Sequence, residues 1–567
     1  MCIDMTEEQK LSAVEGIKMR SRGLRGTIAE GLRDQLTGQI SADDQQLIKH
    51  HGSYQQDDRD RREEREVKKL EPAYSFMIRL RLPGGDITPE QWLGLQPLLA
   101  QNTTGVMKIT TRQTIQVHGV IKSKLKPTMQ WFDKFGLDAI AACGDVNRNV
   151  MAGSHPAISQ FHEQVHAFAD KISTHLLPRT TAFSEIWLDG EKLAEGEESV
   201  EDPLYQNRYL PRKFKVGIAI PPHNEIDVFT QDVGLIAIEE NGKLAGFNLA
   251  LGGGMGATHG NAATYPRLGT IIGFVTHEQV LDTVWQVAAV QRDHGNRADR
   301  KQARLKYTID RMGVDTFKAE LEKRVGFTLA TPRSYAFDTR ADHYGWMQDH
   351  KGRWHYTMFV ENGLVVDEPQ YRVKTALDAI AEASIDAGGI CDFRFTGNQN
   401  IMLLNIAEAD KPVIEALLNE YGIISNQDAF TPLRTHAIAC VALPTCPLAM
   451  AEAQRYLPDL IGRIESLLDK HHLKQDEISI RMTGCPNGCG RPYVAEIGLV
   501  GRSAGHYDLR LGGDRLGYRL NTTYKEGVDE AEILHTLDAL FADYARDRGE
   551  KETFGDFCQN HFANMYI

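Results

Sequence analysis

Two stretches decide the fold: VGLIAIEENGKLAGFNLALGGGMG (Val233 to Gly256) and IGLVGRSAGHYDLRLGGDRLG (Ile497 to Gly517). Phe-Asn-Leu-Ala-Leu-Gly-Gly in the first stands where Tyr-Asp-Leu-Arg-Leu-Gly-Gly stands in the second. A second pair also aligns: KITTRQTIQV (Lys108 to Val117) over RFTGNQNIML (Arg394 to Leu403), with Thr110 over Thr396, Gln113 over Gln399 and Ile115 over Ile401. Two modules that each recur once, far apart, indicate an ancient duplication, whereas a solenoid repeats every ~20 to 50 residues. A pseudo-two-fold axis is expected. Strand-like runs alternate with helical ones such as PEQWLGLQPLLAQN and YRVKTALDAIAEA, which gives an α+β class with mixed or antiparallel sheets.

The 567 residues exceed a single core and, at roughly 150 residues per domain, suggest three or four units large enough to bury a cofactor. A net charge of −13 argues against a general polyanion binder, and so against nucleic acid as a partner. The start, MCIDMTEEQK, has no apolar targeting segment, and no later run approaches the ~18 apolar residues that span a bilayer. A cytoplasmic chain with no membrane partner is expected. Residues 1–70 are charge-dense, ending in HHGSYQQDDRDRREEREVKK, and read as an arm that docks a partner. The remaining units are 71–140 paired with 345–425, then 141–344, then 426–567.

Alternation along an extended strand puts Lys108, Thr110, Arg112, Thr114, Gln116 and His118 on one polar face. The matching positions of the second copy, Arg394, Thr396, Asn398, Asn400, Met402 and Leu404, have lost half of that polarity. Lys213 and Lys215 flank Phe214 in LPRKFK and share a face, as do Arg79 and Arg81 in FMIRLRL. Neither glycine cluster, FNLALGGGMG or DLRLGGDRLG, has the pattern of a dinucleotide site, so electrons must come from another protein.

Four of the eight cysteines form two close pairs, Cys440 with Cys446 and Cys485 with Cys489. In a large cytosolic chain such clustering favours metal or redox chemistry over disulfides. Four thiolates can hold tetrahedral zinc or an iron–sulfur cube. Five intervening residues is wide for a zinc knuckle, and the bulkier cube fits better. Pro447 suits the first position of a following helix, which would set Cys446 at its N-terminus. In MTGCPNGCG, Gly484, Gly488 and Gly490 would let the backbone approach a large inorganic or planar partner. Cys2, Cys143, Cys391 and Cys558 have no partner at ligand spacing and read as structural or free.

The motifs TCPLAMAEAQRYLP and RMTGCPNGCGRPYVAEIGLVG, with NRNV and LPRKFK upstream, resemble those of the siroheme and [4Fe–4S] sulfite/nitrite reductase family, from about Leu24 to Gly555. The ending CQNHFANMYI departs from that pattern. The resemblance implies a ferredoxin-like pair plus two larger α/β sheet domains around a central cofactor site. It implies that Cys440, Cys446, Cys485 and Cys489 bind the cluster, with Cys489 shared with the siroheme iron. Arg79, Arg148, Lys213 and Lys215 would hold sulfite, while Arg81, Arg112, Gln116, His118, Arg304, Lys306 and Asn487 would surround the cofactors. The implied reaction is six-electron reduction of sulfite to sulfide, fed by an NADPH-oxidising flavoprotein or by ferredoxin. Siroheme nitrite reduction and a zinc-stabilised binding protein are the alternatives.

Overall fold

The computed structural model describes residues 11–155, 159–180, 187–188, 191–192 and 202–565. Four five-stranded sheets organise it, and they fall into two matched pairs. The first sheet runs Ser53–Asp57, Tyr74–Arg79, Ile115–Val120, Met107–Ile109, Leu364–Val365, antiparallel throughout. The second repeats it: Gly345–Gln348, Trp354–Met358, Ile401–Ile406, Asp392–Phe395, Asp86–Ile87. Each takes its last strand from the other half, so neither half of this ferredoxin-like pair closes its sheet alone.

The other two sheets share a mixed pattern of two parallel pairings followed by two antiparallel ones. One is Met151–Ala152, Val216–Ala219, Val233–Glu240, Lys243–Leu251, Thr270–Thr276. Its twin is Ile438–Ala439, Ile480–Thr483, Ile497–Ser503, His506–Leu511, Thr522–Val528. Even the register repeats: Val216 lies opposite Val233 as Ile480 lies opposite Ile497. The duplication read from the sequence is therefore an architectural fact.

The helix Pro89–Asn102 shows how local signals and packing agree. Thr88 and Gln91 form a reciprocal capping box, and Pro89 occupies the first turn, where a missing N–H costs nothing. Its buried face meets the helix Val373–Asp386 of the other half, where Trp92 donates to Asp378 at 2.8 Å and packs edge-on to Phe393. One apolar core thus spans both ferredoxin-like halves. Truncating Trp92 to alanine would cost about 3 to 5 kcal/mol.

Three expectations need correction. Residues 108–118 are a hairpin and not one strand: Thr110 N–H donates to the Thr114 carbonyl, and Gln113 takes a left-handed φ of 52°. The twin hairpin makes the same bonds, with Gln399 at 72°. The N-terminal segment is also more than an arm, because Ser53–Asp57 completes a sheet. No helix follows Cys446. The next begins at Leu457, because the amides of Met450 and Ala451 are taken by the Gly484 carbonyl.

At the centre, the two copies touch through equivalent residues. Asp227 and Arg491 each have a positive φ, 50° and 55°, and each precedes a single 3-10 turn. They pair with each other at 2.7 Å.

Candidate active site

One internal cavity of about 500 Å³ is lined by all four paired cysteines. It draws on every part of the chain: the segment 45–56, the 108–118 hairpin, the loop 144–148, Arg212, Lys213 and Arg300, and the two cysteine loops. Seven lysine and arginine side chains face it (Lys49, Arg79, Lys108, Arg148, Arg212, Lys213, Arg300) against one carboxylate, Asp145. Asp145 is already committed to Arg300 at 2.7 Å and Lys18 at 3.4 Å. So large an unpaired surplus of positive charge at depth calls for an anionic occupant.

The thiol side is built from two strand ends. Cys440 follows Ile438–Ala439, and Cys485 and Cys489 follow the adjacent parallel strand Ile480–Thr483. Hydrogen-bond donors surround the sulfurs: Gly484 N–H and the Thr483 hydroxyl point to Cys440 Sγ at 3.3 and 3.4 Å, and Asn487 Nδ2 points to Cys485 Sγ at 3.5 Å. Burial, reinforced by Cys489, pushes the Cys440 thiol up to about 12 and that of Cys485 to about 11. Only a bound metal would draw those protons off at neutral pH. Cys489 is exposed, unlike its three companions.

The glycines of this loop are required by the protein itself, which corrects the expectation that they clear space for a cofactor. A Cβ at Gly484 would lie 2.5 Å from the Ala442 methyl and 2.6 Å from the Ala451 carbonyl. One at Gly488, which has φ of +64°, would lie 2.8 Å from Tyr493 and 3.0 Å from Met255.

The cations come from other elements. The Arg148 amide donates to the Phe214 carbonyl at 3.0 Å, which ties the loop bearing Arg148 to the strand entry bearing Lys213 and Lys215. The alternation holds there: Phe214 and Val216 are buried, while Lys213 and Lys215 are half-buried on the other face. Burial, then Arg148 and Arg212, lowers the Lys213 ammonium to about 7. Lys215 is driven well below its ordinary value by burial and by Lys213. Arg79 donates to Gln116 at 2.7 Å and to Cys143 Sγ at 3.2 Å. Its Nε and that of Arg112 are buried without a protein partner among the described residues.

Among the expected site residues, Arg79, Arg148, Lys213, Gln116, His118 and Asn487 line the cavity together with the four cysteines. His118 is held by Gln56 at 3.0 Å, and burial lowers its imidazole to about 3. Arg112 sits at the hairpin tip, bound to Gln231 at 2.7 Å. Arg81 does not reach the site. Its strand ends at Arg79, and the guanidinium is turned to Asp138 at 3.0 Å and to Ser173 at 3.3 Å. Arg304 is spent on Asp232 at 2.8 Å, and Lys306 on the carbonyls of Gly254, Gly256 and Tyr265, so both brace the glycine loop behind the cavity.

Sequence reasoning missed Lys49, Tyr54, Arg212 and Arg300 as wall residues. Tyr54 accepts from Arg148 at 3.3 Å. Arg212 lay inside the quoted LPRKFK motif and was legible there. Cys143, expected to be structural or free, is buried and accepts from Arg79. Cys391 and Cys558 are buried in apolar cores, and Cys2 lies outside the described residues.

A protein from Leptospira biflexa serovar Patoc named sulfite reductase [NADPH] hemoprotein beta-component is 56% identical over 98% of this chain and 99% of its own length. This chain belongs to the sulfite reductase hemoprotein family. The Staphylococcus haemolyticus protein of the same name is 52% identical over 98% of the chain and 96% of its own. The nitrite/sulfite reductase ferredoxin-like half domain matches residues 68–133 and 347–421, the two exchanged sheets. The nitrite and sulphite reductase 4Fe-4S domain matches 167–329, which contains none of the four paired cysteines but is their duplicated twin. In fold, the structure of Mycobacterium tuberculosis NirA protein superposes with a TM-score of 0.77 at 24% identity, over 97% of this chain and 96% of that one.

Proposed function

We propose that this chain reduces sulfite to sulfide with a [4Fe–4S] cluster and siroheme held in the 500 Å³ cavity. The observation that carries the reading is the cavity's lining, which brings four thiols together with a surplus of cations. Cys440, Cys446, Cys485 and Cys489 would hold the cluster, and Cys489, the exposed one of the four, would be shared with the siroheme iron. The cations suit a macrocycle fringed with carboxylates. A single zinc ion would leave most of that volume unfilled and the surplus of cations without an anion. When bound, the cluster and siroheme supply the electron storage and the reducing metal that no side chain provides.

The chain's own residues bind the anion, orient it and move protons. Arg79, Arg148 and Lys213, which line the cavity, and Lys215, which shares a strand face with Lys213 but lies outside that lining, would form the substrate wall, where converging positive charge favours a small dianion; a unit pair at 4 Å is worth about 4 kcal/mol at an effective dielectric near 20. Converting sulfite to sulfide takes six electrons, and three oxygens leave as water, so six protons must arrive. A lysine lowered to about 7, as Lys213 is, gives up its proton near neutral pH and is suited to general-acid work. Residues 141–344 would thus be the substrate half and 426–567 the cluster half, with the paired ferredoxin-like sheets between.

Electrons would come from an NADPH-oxidising flavoprotein, a reading supported by the word NADPH in the relatives' names, with ferredoxin as the alternative donor. Among the described residues, no helix is long and apolar enough to cross a membrane. An absorption spectrum with iron, acid-labile sulfide and zinc analysis tests the cofactors. The ratio of kcat/KM for sulfite to that for nitrite tests the substrate, and a preference for nitrite overturns it.

A further inference from the structure

The N-terminal segment reaches across to the cluster side of the site at Arg59, two residues beyond the strand Ser53–Asp57, and beside it at Asp60, which pairs with Arg455. Arg59 sends its guanidinium into the loop that carries Cys446. It donates to the carbonyls of Pro444 at 3.2 Å, Ala449 at 2.9 Å and Cys446 itself. Its backbone N–H also meets the Pro444 oxygen at 3.4 Å. This loop has no helix or strand of its own to set its shape. Its amides are held by the Ala442, Cys446 and Gly484 carbonyls, and the three carbonyls that converge on the Arg59 guanidinium fix its other side. A planar fork with five N–H groups can do this, and a lysine ammonium, a point charge on a flexible stem, cannot reproduce it.

Resting on the reading of the four cysteines as cluster ligands, we propose that Arg59 is a positioning residue for the iron–sulfur centre, fixing the Cys446 loop and setting a permanent positive charge beside it. Both consequences are measurable without turnover. Reduction adds negative charge to a cluster, so a nearby cation favours the reduced form and raises its potential. A pinned ligand loop also slows the escape of iron.

The test uses the full chain with its cofactors. Arg59→Met should keep the parent's visible bands and iron content, shift the cluster's reduction potential to more negative values in a spectroelectrochemical titration, and release iron to a chelator several-fold faster. Arg59→Lys should hold the potential close to the parent's while still releasing iron faster, which separates charge from geometry. Asp60→Asn, which cuts the neighbouring exposed pair with Arg455, should change neither. An unchanged potential in Arg59→Met with iron fully bound overturns the proposal, as does the same shift in Asp60→Asn. If Arg59→Met does not accumulate, Arg59→Lys decides: iron release at the parent's rate overturns the idea. A parent chain that carries no iron–sulfur cluster overturns the reading of the cysteines instead, and that is seen before any variant is made.

Discussion

The two α/β halves share strand order and register, yet one cavity between the duplicated modules measures about 500 Å³ and its counterpart about 30 Å³, scarcely more than one water. Lys213 and Lys215 stand three and one residues before Val216; Glu477 and Ser479 hold the same places before Ile480. In the small site Glu477 pairs with Arg515, and Glu496 accepts from Ser479. Arg340 and Arg481, which also line it, are paired with Asp227, so its cations have carboxylate partners in the protein.

The cysteines show the reverse asymmetry. Cys440 donates its amide to Met482 as Gly153 does to Ile218, and Cys485 and Cys489 precede Arg491 by the spacing at which Pro221 and Glu225 precede Asp227. One copy kept the cations and the other kept the thiols, and both contribute to the same cavity. Duplication supplied two scaffolds, and divergence made them complementary.

The comparison breaks first at Cys489, the sulfur proposed to be shared. Cys489→Ser should abolish sulfite turnover and remove or recast the visible bands; full activity there would end the cluster reading. Next, Lys215→Met, which removes a proposed substrate-wall cation beside Lys213, should lower turnover by about 10² to 10³, the usual worth of one placed charge-stabilising group, with the visible spectrum close to the parent's. Asp227→Asn strikes the axis, where burial is outweighed by Arg481, Arg491 and Arg340 to hold the carboxyl far below its ordinary range. Leaving those arginines uncompensated should cost about 3 to 5 kcal/mol in chemical denaturation.

A smaller effect comes from pH. Because Lys213 is lowered to about 7, its ammonium is lost as pH rises through that value, and bound anions move the loss upward. Turnover should therefore fall with rising pH on a limb at or above 7, and Lys213→Arg should flatten that limb. Last, Glu477→Lys in the small site should cost under about 1 kcal/mol, since its pair with Arg515 is half-exposed, and should add no sulfite binding. Measurable binding there would mean that the closed site is more adaptable than its packing indicates.

Legibility followed the range of the cause. The hairpin at 108–118 was hidden because Thr-Thr-Arg-Gln carries no turn residue, whereas its twin's Gly397-Asn398 announces one. Transferring that signal across the alignment would have found it. The helix expected after Cys446 failed because the amides that would start it are captured by Gly484, some thirty-five residues on. Arg81 was misplaced because alternation was carried two residues past the strand's end.

By itself the sequence determined the duplication, the α+β class, the four paired cysteines and the Lys-Phe-Lys face, because strand periodicity and ligand spacing are local properties of a chain. Only the tertiary structure decided that segment 45–56 walls the cavity, that Arg304 and Lys306 brace a loop, and which duplicated site stayed open. Those outcomes depend on which distant group satisfies each buried charge, and that partner is chosen by packing between elements far apart in the chain.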